Sequence, residues 1–181
     1  MVSLAPLWLA AGLAAGHAPT LRLGSDSMFG VRAGLFFPSS AALKDVMGDR
    51  WFSFGLARVR KEARGGTKLV LDLEMIRNRN GDNKVAMLTP SATLFKDFAE
   101  PGATTFPYVG VGLGLTYFDY SLRANGVYQS TKRVGPSVNL QAGYVIDSRF
   151  VVSIRYNWMP SYDGFGFSGF TISAGYGFIK F

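Results

Sequence analysis

Asp72 and Glu74 are the residues of this 181-residue chain best placed to do chemistry. They stand two apart in Lys68-Leu-Val-Leu-Asp-Leu-Glu-Met-Ile76, where Leu69, Leu71, Leu73 and Met75 alternate with Val70, Asp72 and Glu74. A period of two is a β-strand, so both carboxylates leave the same face, about 7 Å apart. That spacing would suit a general acid and a general base acting across a glycosidic bond. The same alternation puts Arg32 and Arg155 on the matching faces of their own strands, with Asn139 and Gln141 on that face of another. Two acids and two bases make a neutral set, and buried charges persist only when paired. A salt-bridged polar network filling a lumen is therefore the more economical reading.

Other routes to catalysis are thin. Ser168 in Gly166-Phe-Ser-Gly169 faintly resembles a nucleophile elbow, but the one histidine is His17, near the amino terminus, so no base serves it. With one histidine and no cysteine, no metal site is expected, and neither is a cofactor. Gly110-Val-Gly-Leu-Gly114 keeps strict period two and has no helix after it, so its glycines clear space inside a barrel rather than cradle a dinucleotide. The expectation is a protein without catalytic activity.

The elements that must position these residues are strands. Apolar alternation runs over Met28–Phe37, Trp51–Arg60, Lys68–Ile76, Val85–Phe95, Pro107–Tyr117, the stretch between Pro136 and Asp147, Phe150–Trp158 and Phe170 to the carboxyl terminus. Eight segments of about 9–11 residues match tilted membrane-crossing strands. Polar loops are expected from Pro38 to Arg50, over Arg77–Lys84, over about Asp119–Arg133 and at Pro160–Gly164. Tight turns are expected at Arg64–Thr67 and Asp147–Arg149. Pro90, inside the fourth segment, predicts a β-bulge, because proline cannot donate to a ladder.

Composition decides the solvent. Hydrophobic residues make up 48% and charged residues 17%, which excludes a disordered chain, and 22 glycines with 14% aromatics suit a barrel. A net charge of +7 does not point to nucleic acid, since the basic residues are scattered among turns. One strand face is almost continuous Leu, Val, Ile and Phe. Facing water it would exceed the apolar patch a monomer tolerates, so a soluble lipocalin-like ligand-binding barrel is the weaker alternative. Phe37, Phe52, Tyr117 and Trp158 fall near one set of strand ends, and Phe29, Tyr144, Phe150 and Phe178 near the other, as two lipid-facing aromatic girdles would. Residues Leu4–Ala15 read as the core of a signal peptide ending near Ala18, although no Lys or Arg precedes it. The expected organisation is a leader over 1–18 and a barrel over 19–181.

Gly30–Pro38, Phe106–Gly114, Asp147–Tyr156 and the aromatic carboxyl terminus resemble the small outer-membrane β-barrels of the OmpA/OmpW-like and related porin-like families. The resemblance covers nearly the whole mature chain as a pattern rather than a diagnostic motif. It implies an all-β, eight-stranded antiparallel up-and-down transmembrane barrel, exported and inserted in the outer membrane by the assembly machinery acting on the last strand, with a periplasmic carboxyl terminus. It does not fix a function. A structural or surface-interaction role through the outer loops is expected first, and a narrow conduit for ions or small apolar molecules second. The partners expected are outer-membrane lipid and, through Arg77, Arg79, Lys84, Arg123, Lys132 and Arg133, lipopolysaccharide phosphates. In the last strand the apolar set is even-numbered up to Phe178, whereas Phe181 is odd. A strand ending at Phe178 with Ile179-Lys180-Phe181 trailing is expected; a bulge near Ile179 is the alternative.

Overall fold

The structure, a computed structural model, describes residues 27–60, 66–124 and 127–180. The expected leader, His17, Arg64 and Gly65 of the expected Arg64–Thr67 turn, Asn125-Gly126 and Phe181 lie outside the described residues. The chain forms β1 (Ser27–Pro38), α1 (Ala41–Met47), β2 (Trp51–Arg60), β3 (Gly66–Asn80), β4 (Asn83–Asp97), β5 (Phe106–Ala124), β6 (Val127–Ile146), β7 (Phe150–Trp158), a small β8–β9 hairpin (Ser161–Tyr162 and Phe165–Gly166) and β10 (Gly169–Lys180).

Eight of these strands close into one antiparallel barrel in the order β1-β10-β7-β6-β5-β4-β3-β2. Each strand pairs with its sequence neighbours, and β1 returns to β10 through a ladder from Pro38↔Gly169 to Met28↔Lys180. The expected alternation holds around the barrel. Val31, Leu35, Leu71, Leu113, Leu140, Ile154 and Ile172 face outward and exposed, while Arg32, Glu74, Asn139, Arg155 and Thr171 are buried inside. This is the reverse of a soluble barrel, whose interior is the apolar side.

Several expectations are corrected. Apart from the Gly81-Asp82 turn, and from Asn125-Gly126 outside the described residues, the segments over Arg77–Lys84 and Asp119–Arg133 are strand and not loop, and strand lengths are not uniform. β3 and β4 run 15 residues each, β5 runs 19 and β6 runs 20, so two hairpins stand well above the rest of the barrel. Asn80↔Asn83 closes the β3–β4 hairpin over the two-residue turn Gly81-Asp82, with Gly81 at φ 59. A positive φ at the first central residue is the geometry that lets a two-residue turn follow the strand twist, and glycine adopts it at little cost. The expected tight turn after β6 is present, with Asp147 and Ser148 both at positive φ and the Arg149 amide donating to the Ile146 carbonyl.

Pro90 makes no bulge. Leu73↔Pro90 sits in an unbroken β3–β4 register. On the other side, pairing with β5 lapses at Thr89 and Pro90 and resumes at Ser91↔Gly114 in the same phase. The missing N–H costs a ladder contact locally, and no residue is inserted. The loop after β1 also differs from expectation, because it contains α1. Ser40 caps the helix through its hydroxyl, which accepts from the Leu43 amide, and Leu43 and Met47 bury one helical face.

At the carboxyl end the trailing strand is overturned. Pairing continues through Ile179 and Lys180, with a register shift between Phe29 and Gly30 that leaves Phe178 as the extra residue. The bulge resolves the phase mismatch because it keeps backbone groups paired along the closing seam. The seam is tight at Gly30, where a Cβ would lie 1.8 Å from the Tyr176 carbonyl oxygen. Gly30→Ala should therefore push β1 from β10 and cost more than about 2 kcal/mol. Urea titration of the heat-sensitive folded band on gels checks this, and an unshifted midpoint contradicts the close approach.

Candidate functional site

The only dense set of charged side chains inside the barrel lies at mid-height, among the described residues, and it joins most of the sequence-derived network. The Arg32 guanidinium meets Asp72 at 3.0 and 3.1 Å. Arg155 bridges both acids: it contacts Asp72 closely and reaches Glu74 at 3.3 Å. It also donates to the Gln141 side-chain carbonyl at 3.0 and 2.7 Å. Ser53 donates to Glu74 at 2.9 Å, and Asn157 donates to Glu74 and to Thr171 at 3.3 Å. The belt thus ties β1, β2, β3, β6, β7 and β10 across the lumen. Asn139 is buried elsewhere, over the glycine face of β5, rather than among these ion pairs.

That glycine face is not an open bore. A Cβ at Gly112 would meet Thr93 Oγ1 at 2.4 Å and Asn139 Nδ2 at 2.6 Å, and one at Gly110 would meet Gln141 at 3.1 Å. The room that the glycines clear is taken by side chains of β4 and β6. Eight strands leave an interior that side chains just fill.

Two apolar clusters close the belt from either end. Toward the short turns, Phe106, Tyr108 and Val145 pack with Phe95 and Val151. Toward the long hairpins, Phe36, Trp51, Ile76, Met87, Phe118 and Phe167 form a larger cluster, joined by Leu43 and Met47 of α1 and Phe165 of the β8–β9 hairpin. Sequence reasoning missed this cap. Its signal was present: Phe165 and Phe167 alternate, and Leu43 and Met47 are four apart.

Polar contacts hold the cap in place. Asn78 and Asn80 donate to the Met47 and Val46 carbonyls, covering the carboxyl end of α1 from β3, and Trp51 donates to the Gly48 carbonyl. Tyr120 donates to Asp163 at 2.5 Å, Arg133 reaches the same carboxylate at 3.3 Å, and the Arg133 guanidinium lies 5.1 Å from the Tyr162 ring centre. Burial, then the bond to Asp163 and its charge, raise the Tyr120 phenol above its usual range, so it stays a donor. Ser168 is engaged with the Met159 backbone through bonds of 2.9 Å.

On the outer surface Phe52, Tyr117, Tyr144, Phe150 and Trp158 are exposed and Phe37 is half-buried, whereas the Phe29 and Phe178 side chains lie outside the described set. Tyr176 adds to the lower group, its ring 4.9 Å from that of Phe150.

A closed eight-stranded antiparallel barrel, apolar outside and ionic within, is the fold of the small outer-membrane barrels. Solved structures agree. The chain is similar to Neisserial surface protein A (NspA), with 17% identity and a TM-score of 0.59 over 87% of this chain and 98% of that one. It is similar to the N-terminal β-barrel domain of Pseudomonas aeruginosa OprF, with 14% identity and a TM-score of 0.50 over 86% and 99%. It is also similar to Ail, the attachment invasion locus protein of Yersinia pestis, with 12% identity and a TM-score of 0.52 over 84% and 97%. No protein-family model matches the sequence, and no curated protein matches it significantly.

The ionic belt makes a sharp energetic demand. Arg155→Met leaves two buried carboxylates short of a partner and should lower the unfolding free energy in detergent micelles by about 3–5 kcal/mol. Adding Glu74→Met should recover part of that loss, read by tryptophan fluorescence in urea. Strictly additive losses would mean that the two side chains do not interact.

Proposed function

We propose that the chain is an integral outer-membrane barrel, exported through its amino-terminal leader, that acts as a structural or surface-interaction element and not as an enzyme or an open pore. The observation that carries this reading is the filled lumen: an ion-paired belt with an apolar cluster on each side of it. Asp72 and Glu74 are engaged by Arg32, Arg155, Ser53 and Asn157, and Ser168 by the Met159 backbone, so the groups that suggested catalysis are occupied in holding the fold.

The continuous outward apolar face supports a place in lipid, with Leu71 and Leu113 exposed by 73% and 67%. Both described chain ends lie at the short-turn end, which on this reading faces the periplasm, and β10 is the strand that the assembly machinery would engage. The long hairpins, α1 and the β8–β9 cap then face outward, where a surface partner would meet them. A narrow conduit would require the cap and the belt to part together.

Two measurements test this. On fractionation the protein should pellet with outer membranes and show a folded gel band that shifts on heating. In planar bilayers the purified barrel should give no reproducible open level. A stable conductance that Gly112→Leu abolishes would replace this reading with the conduit.

A further inference from the structure

The register of the tall hairpins places cations on strands, in two adjacent rows, where the sequence alone put them in loops. Phe54, Met75, Leu88, Tyr117 and Val134 form one row of directly opposed residues across β2 to β6, and every member is an exposed apolar or aromatic side chain. The next row up is Phe52, Arg77, Ala86, Asp119 and Lys132, and the next sets Arg79 directly opposite Lys84. Each row lies two residues, about 7 Å, further along the strands. Arg77, Arg79, Lys84 and Lys132 are all exposed. Like charges directly opposed on one sheet face destabilise it unless an anion lies between them. The acids nearby are Asp119, which stands opposite Lys132, and Asp82 in the adjoining turn. Arg77, Arg79 and Lys84 therefore make a cationic face bounded below by a row suited to acyl chains.

We infer that this face binds the phosphate of a lipid headgroup, with the acyl chains of the same lipid lying on the Met75–Leu88–Tyr117 row. The inference rests on the membrane reading above and names its partner. Guanidinium groups bind phosphate through paired, charge-assisted hydrogen bonds, and an ammonium adds a point charge. The apolar row selects a lipid over free phosphate, because both halves of an amphiphile find a complementary surface within one strand step.

The test uses the full chain folded in neutral detergent. Folding is read by the heat-dependent gel shift and binding by native mass spectrometry, so failure of the membrane reading and failure of the site are seen separately. Phosphorylated lipid A should bind about ten-fold or more tighter than its dephosphorylated form. The double variant R79Q/K84Q should bind both forms alike while keeping the gel shift. Without lipid its melting point should be no lower than that of the parent, because a like-charge pair has been removed. Equal affinity of the parent for the two lipids would overturn the inference, as would a variant that binds like the parent. Inorganic phosphate that binds as tightly as the lipid, with the same loss in R79Q/K84Q, would overturn the lipid as the source of the phosphate.

Discussion

Backbone closure is the constraint on which the rest of this structure depends. In hydrocarbon no water is present to satisfy a free N–H or C=O, so a sheet must close on itself. Here the closure is the β1–β10 ladder, and it is kept to the end of β10 by a bulge at Phe178 rather than abandoned where the side-chain phase fails. Eight strands then set a narrow radius, and a narrow radius brings inward side chains from opposite walls within contact. Once the interior is full, whatever charge it contains has to balance on the spot. Arg155 accordingly serves Asp72 and Glu74 together, and Arg32 takes the remaining side of Asp72.

Such a belt also specifies the fold. A one-residue slip in a strand would turn every inward side chain to the lipid face. The partners of the belt lie far apart in sequence and on β1, β3 and β7, so a slip of any of these strands leaves a charge unpaired inside or places one in hydrocarbon. Apolar packing alone penalises slippage less, because one aliphatic side chain replaces another at modest cost. The glycines of β5 complete the arrangement by giving Asn139, Gln141 and Thr93 the room they occupy.

Much of this was legible from alternation alone. The eight strands, the outward and inward sets and the chemistry of Arg32, Asp72, Glu74 and Arg155 all follow from a period of two. The upper thirds of β3 to β6 were not legible, for a physical reason. The outward face turns polar at Arg77, Lys84 and Asp119 while the strands continue, so apolar alternation on that face ends before the strands do. Consecutive apolar pairs such as Tyr117-Phe118 then read as the loss of the pattern, when each residue of the pair serves a different face. The Asn80-Gly81 dipeptide marked the true turn, and Ser40 with Leu43 and Met47 marked α1. Both signals were local and were outweighed by the surrounding polarity. Pro90 misled in the opposite direction, since a ladder can lose a contact without gaining a residue.

The same inversion records where the water begins. On β3 the outward and inward residues are Met75 and Glu74 below the boundary, and Arg77 and Ile76 above it. On β5 they are Tyr117 and Thr116 below, and Asp119 and Phe118 above. On β4 the outward face passes from Leu88 to Lys84 as the inward face passes from Thr89 to Met87 and Val85. Below this level the barrel is an inside-out protein that needs lipid around it, and above it is an ordinary soluble fold with an apolar core. The two halves share one set of continuous strands, so neither can move without carrying the other into the wrong solvent. The depth of the barrel is fixed by that exchange of faces, and the apolar cap over the ionic belt is simply the core of the upper half.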